Sequence, residues 1–218
     1  MNKLSSLQEA IAGEIHDGMS VVMGCGLESL IPFAAGYEII RQKKKDLALI
    51  APISDMQFDQ IIGAGCVKKV IAAWVGNVAA GLGHNFRRAA EKGIPHPIEV
   101  EDHSNFTIAL ALKAAAVGLP FLPTKTAAGS DFSRAGHFKP VSCPFSGEEL
   151  LAVRAIKPDV AVLHVQRADP EGDAHIWGNL GVVVEAARAA KKVILTCEEI
   201  VDHEVILSDP NRTLIQGF

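Results

Sequence analysis

Three places in this chain have residue types and spacings that point to chemistry. The first is the run 17–32, DGMSVVMGCGLESLIP. Gly24 and Gly26 flank Cys25 directly after the apolar Val21, Val22 and Met23. Glycines there let the backbone turn sharply and approach a neighbour or a ligand with no side chain between. With Ser29 as N-cap and Pro32 in the first turn of a following helix, such a turn offers backbone N–H groups to an anionic or polar ligand. The alternative is a plain strand–helix connection, and a G-x-G alone does not decide between them. The second place is Arg87 and Arg88, in a short basic helix expected over 84–92. Guanidinium pairs bidentately with phosphate, as a nucleotide-like ligand would require; a solvated helix face is the simpler reading. The third is Asn105, at the expected N-terminus of a helix that Ser104 or Asp102 can cap. Its amide is then free to donate, although spacing alone favours a capping role for Asn105 itself.

The elements that must position these residues follow from periodicity and punctuation. A first helix is expected over 4–16, capped by Ser5 or Ser6, with Leu7, Ile11 and Ile15 on one face. Short apolar runs at 20–23, 47–51 and 67–74 read as buried strands, separated by helices over 31–42 and 54–62. This alternation builds a mostly parallel open sheet with helices on both faces, an α/β architecture. Residues 76–83 read as a glycine- and alanine-rich loop. The helix beginning near Asn105 stops at Gly118, and 119–123, LPFLP, is expected to re-enter the sheet. Residues 124–144 show no period and read as a long loop. Strands are expected at 149–155 and 159–165, a helix at 183–190, and a last buried strand at 192–197.

Composition excludes several classes. A chain of 218 residues with 49% apolar and 21% charged residues folds, as one domain over 1–218. Net charge is −4 and the longest basic run is Lys43-Lys44-Lys45, which argues against nucleic acid. The sequence has no apolar run of membrane-spanning length, and its N-terminus is amphipathic with acidic residues, unlike a signal peptide. Cys25, Cys66, Cys143 and Cys197 lack C-x-x-C spacing and the eight histidines lack paired ligand spacing, so no metal site and a reducing cytoplasm are expected.

Several motifs, in order along the chain, carry a resemblance. Asp17, Gly18, Val21, Val22, Met23, Gly24 and Pro32 match the signature of family I coenzyme A transferases; Cys25 and Gly26 depart from its Gly and Phe. The LPFLP run followed by Gly129-Ser130, then Pro144-Phe145 with Gly147-Glu148, the Ala168-Asp169-Pro170 turn leading to Ile176-Trp177-Gly178, and Thr196-Cys197-Glu198-Glu199-Ile200 resemble the alpha subunit of the glutaconate CoA-transferase type. The resemblance implies a family I fold and CoA transfer from an acyl-CoA to a free carboxylate. It places the attacking glutamate on a beta subunit, in a Ser-Glu-x-Gly-type turn absent from this sequence, and so implies a hetero-oligomer of α2β2 size or larger. It implies no permanently bound cofactor, with the coenzyme A thioester as substrate. By position Asn105 corresponds to the amide that helps form the oxyanion hole. Gly24, Cys25, Gly26, Gly129 and Ser130 correspond to the walls of the acyl or CoA pocket; the phosphate reading of Arg87 and Arg88 rests on their own chemistry and not on the resemblance. Related steroid-ring hydrolases carry Glu at the Asn105 position, and sugar-phosphate sensing domains share the fold. Alpha subunits of this type extend beyond the position equivalent to 218, so the chain is expected to be either a C-terminally truncated piece or a short family member.

Overall fold

The computed structural model describes residues 2–134 and 136–217. Phe218, the last residue of the expected domain 1–218, lies outside the described residues, as do Met1 and Ala135. The chain begins with α1 (Leu7–Glu14), β1 (Ser20–Met23), α2 (Phe33–Arg41), β2 (Leu47–Ile53), α3 (Asp55–Gly63) and β3 (Val67–Trp74). It continues through β4 (Gly76–Asn77), β5 (Gly81–Leu82), α4 (His84–Lys92), β6 (Glu99–Asp102), α5 (Asn105–Ala116) and β7 (Phe121–Thr124). After a single 3-10 turn at Asp131–Arg134 come β8 (Phe138–Ser142), β9 (Glu149–Arg154), β10 (Val160–Ala168) and β11 (Ala174–His175). The last elements are α6 (Val183–Ala189), β12 (Lys192–Ile200), α7 (His203–Leu207) and β13 (Thr213–Ile215).

The main sheet has eight strands. Its parallel body runs in the order β12-β10-β1-β2-β3-β6. β1 is only four residues long and β10 is nine, so the upper half of β10 rises past the end of β1. β11 pairs antiparallel with that upper half, Arg167 opposite His175, and β13 pairs with β11. β12 is an outer edge, paired only with β10 among the described residues.

Both faces of the centre of the parallel body are buried, which is why β2 and the first half of β10 read as apolar runs, while β3, nearer the β6 edge, carries Lys68 and Lys69. On β10, Val160 and Val162 enter one core with Ile11, Ile39 and Phe58, under α1, α2 and α3. Ala161, Leu163 and Val165 enter the other with Ile108, Leu112, Val183 and Ala186, under α5 and α6. The expected open α/β sheet with helices on both faces is the one observed.

Several local expectations are corrected. Residues 119–123 do not rejoin the main sheet: β7 belongs to a separate antiparallel sheet in the order β7-β9-β8. That sheet lays Phe138 and Val153 against Ala111 of α5. The loop expected over 124–144 contains the 3-10 turn and β8, and the loop expected over 76–83 is a two-strand ribbon, β4 with β5. The expected last buried strand, β12, is mostly exposed or half-buried, with Ile194 its one buried residue. A helix does not start at Ser29: Pro32 stands at the N-cap of α2, and the connection from β1 runs over 24–32. Leu27 and Leu30 adopt left-handed backbone there (φ 65° and 54°), which leucine rarely does and which no residue type announces.

Candidate functional site

β1 is followed in the sheet by β2, β3 and β6 on one side and by β10 and β12 on the other. The helices that follow β1 and precede β12 cover opposite faces, α2 in one core and α6 in the other. The carboxyl end of β1 is therefore the topological switch point, where open α/β sheets bind their ligands. Gly24, Cys25 and Gly26 sit there. Gly24 has φ 71°, and a Cβ on Gly26 would lie 2.4 Å from the Ser29 carbonyl, so both glycines are required by the turn. The neighbour they admit is the chain itself. Val182 N–H donates to the Cys25 carbonyl at 3.0 Å, and a Cβ on Gly181 would strike that same oxygen. The Ser29 hydroxyl donates to the carbonyls of Gly26 and Asn179, not to helix amides. Cys25 is buried, and burial pushes its thiol far up, which keeps it protonated and unreactive. Behind Gly24, Gln57 is buried; its Nε2 donates to the Pro32 carbonyl, and its Oε1 has no partner among the described residues.

Asn105 opens α5 on the same carboxyl rim, over the end of β6. Three strand spacings separate β1 from β6, on the order of 14 Å, so Asn105 and the glycine turn share the rim without touching. The cap of α5 is Ser104, in a full capping box with Thr107: the Ser104 hydroxyl accepts from Thr107 N–H at 3.1 Å, and Ser104 N–H donates to Thr107 Oγ1 at 2.9 Å. Asn105 is thereby released from capping, and it is exposed. Below this turn lies a polar chain, buried at His103 and Thr107 and half-buried at Lys69 and Glu101, that sequence reasoning did not isolate. Lys69 Nζ reaches Glu101 at 2.8 Å, Glu101 Oε1 bonds His103 Nε2 at 3.2 Å, and His103 Nδ1 bonds Thr107 Oγ1 at 3.0 Å. The His103 hydrogen bond, joined by Lys69, overcomes burial and holds the Glu101 carboxyl at about 2, so it stays charged. His137 stacks on His103 with ring centroids 4.8 Å apart and bonds the Asp102 carbonyl at 2.9 Å. Burial, then the neighbouring His103, pushes the His137 imidazole down, which favours its neutral form.

Gly129 and Ser130 lie on an exposed loop between β7 and the 3-10 turn; His137, further along the same connection, ties it to the base of Asn105's turn. Arg87 and Arg88 occupy α4, in the layer of α3 and on the face of the sheet opposite α5. Arg87 pairs with Glu91 at 2.8 Å, and Arg88 bonds Asn85. They border a surface cavity of about 280 Å³ with His84 and Lys92. The structure does not bring them to Asn105 or the glycine turn. A larger cavity, about 710 Å³, opens on the outer face of the small sheet, between Phe121, Lys139 and Arg154 on one side and Val100 and His137 on the other. Its lining includes neither the glycine turn nor Asn105, so volume alone does not mark the site.

Two further rim features were given no site role by the sequence, although Trp177 stands in one of its family motifs. Glu28 accepts from Val78 N–H at 3.0 Å, which draws the β4–β5 ribbon onto the glycine loop. Trp177 is clamped by the Gln166 amide at 3.0 and 3.2 Å, and the guanidinium groups of Arg212 and Arg167 lie 4.9 and 5.9 Å from its ring centre. Glu198 and Glu199 form cross-strand pairs with His164 (2.7 Å) and Arg167 (3.0 Å). Asp169, Asp173 and His203 place ligand-type atoms within 4.8 Å of one another. Asp169 already accepts from His203 and from the amides of Glu171 and Asp173, and the Asp173 carboxylate accepts Gly217 N–H at 2.7 Å, so these groups already serve internal hydrogen bonds. Among the described residues no helix is long and apolar enough to cross a membrane, and the four cysteines are free thiols.

Residues 4–218 match the family described as coenzyme A transferase. The chain is 46% identical over 203 residues to the A subunit of 3-oxoadipate CoA-transferase from Pseudomonas knackmussii, covering 93% of this chain and 72% of that protein. It is 34% identical to the A subunit of glutaconate CoA-transferase from Acidaminococcus fermentans, over all of this chain and 73% of the other. The crystal structure of glutaconate CoA-transferase from that organism superposes with a TM-score of 0.91, covering 99% of this chain and 73% of that one. Identity is lower, 27%, to the cholesterol ring-cleaving hydrolase IpdA subunit of Rhodococcus jostii, over 98% of this chain and 74% of that protein. The chain belongs to the coenzyme A transferase family.

Proposed function

We propose that this chain is the alpha subunit of a heteromeric CoA-transferase that moves CoA between an acyl-CoA and a small dicarboxylic acid, in a reducing cytoplasm and with no permanently bound cofactor. The names of its relatives, 3-oxoadipate and glutaconate CoA-transferase, motivate the substrate class. The observation that carries the reading is Asn105: an exposed amide at the head of α5, freed by Ser104 from capping, on the rim where the sheet's ligand site is expected. A glutamate carboxylate supplied by the beta subunit attacks the thioester carbon, and the carbonyl electrons move onto oxygen. Collapse expels CoA thiolate and leaves a mixed anhydride; the thiolate then attacks the glutamyl carbonyl, releases the first acid and forms the glutamyl thioester. The second acid takes CoA by the same steps in reverse.

Asn105 donates to the oxygen while it bears charge, so it lowers the barrier more than it tightens substrate binding. Gly24, Cys25 and Gly26 form the wall opposite, and Gly129 and Ser130 the side of the acyl or CoA pocket. Arg87 and Arg88, on the far face, are assigned to the phosphate end of CoA, remote from its sulfur. The half-exposed Trp74, Val78, Phe106 and Trp177 give the same rim an apolar surface suited to a beta subunit that closes the site. The sequence resemblance implies a glutamate at this position in the ring hydrolases, and an amide lacks that carboxylate, which favours transfer over hydrolysis. Co-expression with a beta subunit, followed by assay with succinyl-CoA as donor and 3-oxoadipate or glutaconate as acceptor, tests the proposal. Transfer is expected only with both chains present, and Asn105→Ala is expected to lower kcat about a hundred- to thousandfold with KM little changed. Transfer by this chain alone, through an adduct on one of its own carboxylates, overturns the assignment.

A further inference from the structure

The polar chain Lys69–Glu101–His103–Thr107, half-buried at Lys69 and Glu101 and buried at His103 and Thr107, is left unused by the proposed reaction. Burying charge is unfavourable unless it is paired and hydrogen-bonded, and here Lys69 of β3, which also pairs with Glu99 at 2.7 Å, Glu101 of β6, His103 beyond it and Thr107 of α5 form one connected series of polar contacts. The chain ends at a particular place. Thr107 Oγ1, its last atom, also accepts Ser104 N–H at 2.9 Å and lies 3.2 Å from the Ser104 carbonyl. Ser104 and Thr107 bracket Asn105 in the first turn of α5. His103 has a second hold on the same turn, because its own N–H donates to the Ala72 carbonyl of β3 at 3.1 Å. It has a third through His137, stacked on its ring and bonded to Asp102.

From this convergence we propose that His103 is the positioning residue of the site: it locks the first turn of α5 to the sheet and so fixes where Asn105 aims its amide. The inference rests on the oxyanion reading of Asn105. His103 is buried beneath the turn and touches no substrate; it acts through Thr107. An amide that must meet a developing oxyanion loses its advantage when its mounting shifts by a fraction of an ångström, whereas ground-state binding hardly changes. A histidine suits this role because its two ring nitrogens span the carboxylate on the sheet and the hydroxyl on the helix with one rigid plane.

The test is a double-mutant cycle in the complete complex with the beta subunit, with succinyl-CoA and 3-oxoadipate as probes. His103→Phe keeps the ring between His137 and Phe138 but removes both nitrogens; kcat is expected to fall about tenfold or more with KM unchanged. His103→Asn, whose amide stands near the position of Nδ1 and retains the bond to Thr107, is expected to recover most of the rate; His103→Gln, reaching towards Glu101 instead, is not. In the Asn105→Ala background, His103→Phe is expected to cost nothing further, because a positioning residue has nothing left to position. Should His103→Phe fail to fold, Thr107→Val severs the chain at its other end and enters the same cycle. A slow Asn105→Ala enzyme that His103→Phe or Thr107→Val slows again by its full factor overturns the positioning role and leaves the oxyanion role standing. A full-rate Asn105→Ala enzyme overturns both.

Discussion

At the scale of single residues, Ser104 and Asn105 divide between them two tasks that sequence reading assigns to either. Ser104 holds the cap and Asn105 does not. Their substitutions therefore part company. Ser104→Ala removes an N-cap and is expected to lower stability by about 1 kcal/mol, read as a fall in Tm, with a modest effect on rate through the loosened turn. Asn105→Asp leaves Tm nearly unchanged and is expected to be at least as slow as Asn105→Ala, because a carboxylate repels the forming oxyanion. A fast Asn105→Asp enzyme contradicts the oxyanion role. The residue types at this turn were legible; the division of labour was not, because Ser, Asp and Asn all cap well and only the backbone register selects one. His103 was less legible still. Its partners Glu101 and Thr107 lie two and four residues away, but a strand end and a helix start must meet around the ring for both bonds to form, and Lys69, which charges Glu101, comes from the adjacent parallel strand.

At the scale of elements, β1 and β3 are found with the boundaries their apolar runs predict, and α4 likewise. Buried parallel strands announce themselves because both faces are apolar. Partnership is what a local pattern does not carry. Phe121–Thr124 reads as a strand and is one, yet it pairs with Glu149–Arg154, not with the main sheet. Such pairing depends on contacts distant in sequence. The α7 element shows a different dependence. Asp169 is fully buried at its side chain and bonds His203 at 2.6 Å, which anchors α7 to the β10–β11 turn. That hydrogen bond, against some desolvation, raises the His203 imidazole above its usual value of about 6.5. A raised histidine stabilises the fold fully below its unfolded pKa, and the contribution is lost as pH rises through the folded value. The Tm of the protein is expected to fall between pH 6 and pH 9 more steeply than that of His203→Gln, whose hydrogen bond does not titrate. Parallel curves for the two proteins contradict the anchoring role.

At the scale of the whole molecule, the sheet is protected unequally on its two sides. On the β6 side, the His137 ring bonds outward-facing backbone at Asp102, and the small sheet stands beside the strand. On the opposite side, the outer edge of β12 has no strand against it among the described residues. This strand is nine residues, roughly 30 Å, of hydrogen-bonding edge, with Val193 and Ile200 exposed along it. An uncovered edge of that length is a template for another extended chain, and natural sheets guard such edges with charge. Here Lys192, Glu198 and Glu199 stand at the two ends, while the middle, Val193 to Cys197, has no charged residue. The isolated chain is therefore expected to self-associate edge to edge as its concentration rises, seen as growth in sedimentation coefficient. Val193→Lys is expected to suppress that growth without touching the carboxyl rim; an unchanged profile places the contact elsewhere. The consequence is one of handling: preparations of the free chain are expected to keep best when dilute, where copies seldom meet edge to edge.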